Sequence, residues 1–125
     1  MAVKDLVYIS ANNYALAATG FCANYNPVEK NASQPELKTL LNNVRGKSIA
    51  QLPGTSVLIM ATNTGLWMND GGKTKEIKTK QSESFFVHQL LAYHDGVLAL
   101  NPTGKLFFIN RNLSISSMNI QGPVS

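Results

Sequence analysis

Side chains that could carry acid–base or metal chemistry are sparse in this chain. The only histidines, His88 and His94, lie six positions apart, and no carboxylate or cysteine is spaced to complete a zinc site or a nucleophilic triad with either. His88 falls within a predicted strand and His94 within a predicted turn, so a structural role is favoured for both. We therefore predict no catalytic residue, no metal site and no cofactor, and we do not expect an enzyme.

A glycine-rich segment, Asp70-Gly71-Gly72-Lys73-Thr74, partly matches two known motifs. Its Gly-Lys-Thr end resembles a phosphate-binding loop, but Trp67 stands where the first glycine belongs, and a strand is predicted where a helix should follow. The whole segment resembles the centre of the Asp-box, a structural turn of sialidase-like propellers. Sialidase chemistry needs several arginines to grip a carboxylate, whereas this chain has only Arg45 and Arg111.

Three ring-bearing side chains, Trp67, Tyr93 and His94, are the weak candidates for ligand binding. Aromatic rings near the ends of repeated β-units can stack on sugar rings. Trp67 and Phe107 occupy equivalent places in the repeat described next, and this equivalence favours packing between units. For Trp67, the role of a buried anchor is therefore favoured over that of a ligand contact.

A repeated strand–turn–strand pattern must position these residues. In its clearest copy, Val57–Ala61 suits a buried strand, Thr62–Gly65 supplies turn residues, and Leu66–Met68 forms the returning strand. Val97 repeats Val57 after 40 positions. The second copy comprises Val97–Leu100, Asn101–Gly104 and Leu106–Asn110, and a weaker copy opens the chain as Val7–Ser10, Ala11–Asn13 and Tyr14–Ala18.

The repeat predicts an all-β fold of β-propeller-type blades, each a four-stranded antiparallel sheet. A single domain, residues 1–125, would hold about three repeats, at about 1–46, 47–84 and 85–125. Closed propellers use about four to eight blades. We therefore expect a fragment of a larger propeller, whose uncovered end faces self-associate or meet further blades. Residues expected on those faces are Val7, Ile9, Phe107 and Ile109.

The first repeat carries an insertion that predicts one short helix. Ser33-Gln34-Pro35-Glu36 has the form of a capping box, and Leu37, Leu40 and Leu41 follow at helical spacing. The same leucines could instead line a loop packed on the sheet. The first strands of the second and third repeats are predicted at Lys47–Leu52 and Phe85–Tyr93.

Composition describes a globular chain. Hydrophobic residues make up 44% and charged residues 14%, and no apolar run approaches the length of about 20 residues that a bilayer helix needs. Four lysines fall within 73–80, on a polar strand that Ile77 anchors, and this pattern is typical of an exposed edge strand. No aromatic platform interleaves these lysines, so no nucleic-acid partner is predicted. The lone Cys22 excludes an internal disulfide.

Residues 48–70 resemble the regulator-propeller repeat of two-component hybrid sensor histidine kinases from gut Bacteroides-type bacteria. The matching residues are Ile49, Ala50, Gln51, Thr62, Gly65, Leu66 and Asp70. The chain departs from the repeat where the family's tryptophan is Leu58 or Ile59 and its glycine is Ala61. Together with the other copies of the strand–turn–strand pattern, the resemblance covers about two thirds of the chain. It includes no kinase segment.

The resemblance implies a role in signal transduction. In that family, periplasmic propellers sense polysaccharide fragments and drive a membrane-spanning kinase. It implies that this chain is a sensory, ligand-binding segment of such a receptor, with a glycan as ligand, a periplasmic location and no direct membrane contact of its own. The alternative is a WD-like protein-interaction scaffold without a small-molecule ligand, for which a cytoplasmic location is expected.

Overall fold

The computed structural model describes residues 2–27 and 36–119, and within them every regular element is a β-strand. The strands are β1 (Val3–Ser10), β2 (Asn13–Asn26), β3 (Glu36–Gln51), β4 (Leu58–Thr62), β5 (Gly65–Asp70), β6 (Lys73–Ile77), β7 (Gln89–Tyr93), β8 (Gly96–Leu100), β9 (Leu106–Ile109) and β10 (Ile115–Ser117). The predicted all-β class is confirmed.

The strands form two antiparallel sheets in which sequence neighbours are also neighbours in space. The first sheet has the order β1-β2-β3-β4-β5-β6, and the second has the order β10-β9-β8-β7. The three predicted hairpins are confirmed as β1–β2, β4–β5 and β8–β9. The lysine-rich strand β6 lies at an edge of the first sheet with Ile77 buried, as predicted.

The long strand β3 joins two differently paired halves of the first sheet. Its residues 36–45 pair with β2, and its residues 46–51 pair with β4. At the junction, a Cβ on Gly46 would lie 2.8 Å from the backbone nitrogen of Ala18, so only glycine fits this close approach. The chain therefore changes pairing partner where it lies directly against the backbone of β2.

The predicted helix is wrong, because the residues after the proposed cap belong to β3. Residues 33–35 of the capping box lie outside the described part of the chain. Two β-bulges explain the misleading leucine spacing: Leu40 and Asn43 are each an extra residue opposite β2, and Asn43 has φ 57°. The first bulge allows the consecutive Leu40 and Leu41 both to pack against the core, which breaks the alternation of a regular strand.

The first hydrophobic cluster lies inside the first sheet. It is formed by side chains from β1, β2, β3, β4 and β5, so the sheet curves back on itself around β3. Thr74 is the second residue of β6. Its hydroxyl donates to the carbonyl oxygen of Leu40 at 3.2 Å and closes this curve. The buried members are Ala15, Ala17, Cys22, Ile49, Leu58 and Met60, and Val7, Ile9, Leu40, Leu41 and Trp67 pack around them.

The second hydrophobic cluster lies between the two sheets. Phe85 and Phe107 meet edge to face within it, with their ring centroids 5.0 Å apart. The first sheet contributes Ala50, Ile59, Ala61, Leu66 and Ile77, and Leu52 joins them from the residue after β3. The chain from residue 85 onward contributes Phe85, Val87, Leu90, Val97, Ala99 and Ile109. The predicted strand at 85–93 is only partly correct, since regular pairing in β7 starts at Gln89 while Phe85 and Val87 are buried outside it.

The pairing register of the two sheets is the same at equivalent positions. Ile59 lies between Ala50 and Met68 in the first sheet, and Leu98 lies between Leu91 and Phe108 in the second. Likewise, Trp67 pairs with Met60 as Phe107 pairs with Ala99. Strands β3 (residues 46–51) to β6 therefore correspond to strands β7 to β10, one repeat length later.

Among the described residues, two sheet faces are exposed, and they are not the ones expected. Val7 and Ile9 pack against the first cluster, while Phe107 and Ile109 belong to the second. The exposed residues are instead their sequence neighbours, because adjacent residues of a strand point to opposite faces. On β1 these are Leu6 and Tyr8, 56% and 61% exposed. On the second sheet, the outer face is formed by Leu91, Tyr93, Leu98, Leu100, Leu106 and Phe108.

We predict that Cys22 is unreactive in the folded protein. Its side chain is fully buried, and burial raises the pKa of the thiol from 9.0 to about 12. The folded state therefore holds this proton more tightly than the unfolded state. The resulting stability is fully present below pH 9.0 and is lost as the pH rises toward about 12.

Thiol labelling with a chromogenic disulfide reagent at mildly alkaline pH checks this prediction. Native protein should label slowly, at a rate set by unfolding, whereas protein in concentrated guanidinium chloride should label at once. Labelling of the native protein at the rate of a free thiol would show that Cys22 is accessible.

Candidate functional site

An open cleft of about 510 Å³ lies where β1, the junction within β3 and the start of β7 come together. Its lining is more polar than apolar, and its volume lies within the range of about 300–1,000 Å³ that is usual for small-molecule sites. The lining residues are Lys4, Asp5, Arg45, Gly46, Lys47, Ser48, His88 and Gln89.

Equivalent positions of three strands supply most of this lining. Lys4-Asp5 lies near the start of β1, Lys47-Ser48 follows the junction in β3, and His88-Gln89 opens β7. Each pair consists of a basic residue followed by a hydrogen-bonding residue, at intervals of 43 and 41 positions. The cleft is therefore lined by a similar residue pair from the start of each region.

A chain of hydrogen bonds connects these strands. The carboxylate of Asp5 accepts from the Ser48 hydroxyl at 2.7 Å and from the backbone N–H of Ile49 at 3.0 Å. The Ser48 oxygen in turn accepts from the backbone N–H of Leu90 at 2.9 Å. Each strand thus uses a side chain to satisfy a backbone donor of the next strand, at equivalent positions Ile49 and Leu90.

The floor of the cleft is held by the backbone around the β3 junction. The N–H of Arg45 donates to the side-chain oxygen of Asn63 at 2.7 Å, and the N–H of Asn63 donates to the carbonyl of Arg45 at 3.1 Å. Gly46 is buried against Ala18 directly beside this clamp. The backbone that carries Arg45 and Lys47 is therefore fixed on both sides.

The charges of the cleft are unbalanced. Three cationic side chains, those of Lys4, Arg45 and Lys47, line it together with one carboxylate, that of Asp5. No ion pair engages the three cations within the part of the chain that the structure describes. Ser48 is buried, whereas Lys4 and Arg45 reach solvent. The arrangement presents positive charge and hydrogen-bond donors to any molecule that enters.

The predicted ligand-binding residues lie away from this cleft, and no described contact joins Trp67 to the other two. Trp67 is half-buried against the first cluster, and its indole N–H donates to the Thr64 hydroxyl at 3.1 Å. Tyr93 and His94 contact each other at the end of β7, with ring centroids 4.1 Å apart and both side chains exposed. Their role as ligand contacts stays a prediction.

The cleft residues were missed because the repeat had been traced through its apolar residues alone. Lys4, Asp5 and Ser48 carry no local motif, and His88 was interpreted as an isolated histidine. A signal is present in the sequence, since the polar pairs recur at intervals of 43 and 41 positions, close to the 40 positions between Val57 and Val97. Applying the repeat to charged positions would have brought these residues together.

The glycine-rich turn forms a tight connection between β5 and β6. Gly71 and Gly72 both have positive φ, at 60° and 90°, and β6 follows them, which excludes the helix of a phosphate-binding loop. The Thr74 hydroxyl accepts from the side-chain amide of the buried Asn69 at 2.9 Å and donates to the carbonyl of Leu40, so it bonds outside the backbone of this turn.

No protein family, curated protein or solved structure matches this chain. Among the described residues, no group of three or more histidine, cysteine or acidic side chains could hold a metal ion. The same residues contain no helix with the length and hydrophobicity needed to cross a bilayer.

We predict that Ser48→Ala destabilises the protein by about 1–3 kcal/mol, because it leaves the Leu90 N–H without a partner in a buried position. Chemical denaturation followed by tryptophan fluorescence measures the free energy of unfolding. Ser116→Ala is the matched control, since its hydroxyl makes only one long, exposed bond of 3.4 Å. Equal stability of both variants would show that the hydrogen-bond chain does not hold the strands together.

We predict that Trp67→Ala lowers the free energy of unfolding by about 1–3 kcal/mol, less than the cost of about 3–5 kcal/mol for a fully buried ring. The reason is that Trp67 is half-buried rather than the buried anchor expected from sequence. Thermal unfolding followed by circular dichroism makes the comparison with Phe86→Ala, whose ring is exposed. An unchanged midpoint for Trp67→Ala would contradict the packing role and would favour Trp67 as a ligand contact.

Proposed function

We propose that this chain is a ligand-recognising segment of a propeller-type receptor and that it has no catalytic role. The observation that carries the proposal is the repeated side-chain-to-backbone link, in which Asp5 contacts Ile49 and Ser48 contacts Leu90. Such a link supports the proposal because the first strands of neighbouring blades would lie side by side around a central channel. In this proposal, each blade is one four-stranded antiparallel unit.

The matching registers support the same proposal. Residues 46–77 and 89–117 form four strands each in sequence order, and the second cluster packs one against the other. In a propeller, each blade covers one face of the next, so equivalent faces should be covered in the same way. Trp67 and Phe107 fit this requirement, since each packs against the strands that precede its own unit.

The sensory part of the proposal is supported by the resemblance of residues 48–70 to the regulator-propeller repeat. Under that proposal, the ligand is a glycan, the location is periplasmic, and signalling passes to a histidine kinase elsewhere in the receptor. The cleft supports ligand binding because it gathers solvent-facing polar side chains from three equivalent strands. The alternative, an interaction scaffold without a small ligand, would make no use of this convergence.

The uncovered outer face of the second sheet supports an association partner. Leu91 and Leu98 are equivalent to Ala50 and Ile59, which the second sheet covers in the preceding unit. Leu91 is 62% exposed, and Phe108 lies with its ring over Gly96. A contiguous apolar face of this kind favours burial against a similar face. We propose that a second copy of this chain covers it when the protein is isolated.

We predict that the isolated protein is a dimer at micromolar concentration and that Leu91→Lys makes it monomeric. The lysine would place a charge in the centre of the apolar interface, where desolvation opposes association. Size-exclusion chromatography coupled to light scattering gives the molar mass of each form.

Lys75→Thr on edge strand β6 is the control, since it alters a sheet edge and leaves the outer face intact. It should leave the dimer unchanged. A monomeric wild-type protein, or a Leu91→Lys variant that remains dimeric, would contradict association through this face.

A further inference from the structure

We propose that the cleft between β1, β3 and β7 binds an acidic saccharide, through a carboxylate group that Arg45 and Lys47 contact. The saccharide part rests on the proposed function. The acidic part rests on the chemistry of the cleft, which the resemblance to known repeats does not specify. The cleft therefore adds a preference for a negatively charged ligand to general glycan recognition.

The excess of positive charge in the cleft favours an acidic ligand. Lys4, Arg45 and Lys47 surround the cleft, and no ion pair neutralises them within the described residues. A carboxylate would receive charge-assisted hydrogen bonds there, which are about twice as strong as those between neutral groups. A planar guanidinium such as that of Arg45 also matches the two oxygens of a carboxylate.

The single acidic residue of the cleft, Asp5, repels an anionic ligand less than a carboxylate without hydrogen-bond donors would. The carboxylate of Asp5 already accepts hydrogen bonds from the Ser48 hydroxyl and from the backbone N–H groups of Leu6 and Ile49. These three donors share its charge and hold it toward the strands. The cations of Lys4, Arg45 and Lys47 offer donors alone to the cleft, and the exposed amide of Gln89 adds an NH₂ donor beside its acceptor oxygen.

The described lining contains no Trp, Tyr or Phe side chain, and this restricts the class of ligand further. Neutral sugars are commonly bound by stacking a ring on Trp or Tyr, and the described cleft offers only the imidazole of His88. Recognition must then come from charge and hydrogen bonds. The volume of about 510 Å³ accommodates a small ligand of a few rings at most.

The test compares digalacturonate with its dimethyl ester, in which a methyl group on each carboxylate removes both negative charges. Titration of ¹⁵N-labelled protein, followed by amide chemical shifts, locates and measures the binding of each. We expect digalacturonate to shift the amides of Ser48, His88 and Gln89 and to bind at least about tenfold more tightly than the ester. Its affinity should also fall as salt is added, because the interaction is electrostatic.

Two variants and a control tie the effect to the cleft. Arg45→Gln and Lys47→Gln should each weaken digalacturonate binding by about tenfold, while Lys75→Gln on β6 should not. The amide spectrum of each variant in the absence of ligand shows that it is folded. Equal loss in all three variants would indicate nonspecific attraction to the cationic protein and would overturn the proposal.

The remaining outcomes separate this inference from the proposed function. Equal binding of the ester, or shifts confined to other residues, would overturn the acidic ligand while leaving glycan recognition in place. Inorganic sulfate is the third probe. Binding of sulfate at the cleft without binding of either saccharide would refute the saccharide and with it the glycan-sensing function. No binding of any probe would refute the site itself.

Discussion

The structure depends on satisfying two backbone donors, the N–H of Ile49 in β3 and the N–H of Leu90 in β7. Strand β3 pairs with β4 on one side, so the N–H of Ile49 on its other side needs a partner. Asp5 supplies one, and Ser48 does the same for Leu90. Leaving a buried N–H unpaired costs about 1–3 kcal/mol, which is a large part of the stability of a small domain. These side chains therefore link the layers as well as lining the cleft.

Much of the fold was predictable because hairpins are encoded locally. Apolar runs separated by short polar turns predicted β1–β2, β4–β5 and β8–β9, and the lysines of β6 predicted an edge. Strand β3 was not predictable in the same way. Its bulges at Leu40 and Asn43 break the alternation that identifies strands and create a spacing that also suits a helix. Only pairing with β2, a tertiary interaction, decides between the two.

The errors about exposed faces have a simple physical origin. Side chains alternate across a strand, so an assignment displaced by one residue exchanges the buried and open faces. Phe107 and Phe108 are equally apolar, and composition cannot distinguish which of them meets Phe85. The pairing of Phe107 with Ala99, which belongs to the second cluster, settles the question. The candidate site was missed for a related reason, since polar residues at equivalent positions carry no periodic apolar signal.

The chemistry of the cleft follows from the links that stack the strands. Asp5 and Ser48 line the cleft, and each uses a side-chain oxygen to accept a hydrogen bond from the next strand. Their basic neighbours, Lys4 and Lys47, take no part in these links and keep their charge available to a ligand. In each pair, the acceptor oxygen bonds to the next strand, and the lysine side chain stays available to bind a ligand. The preference for an anion is, in this view, a consequence of how the layers are joined.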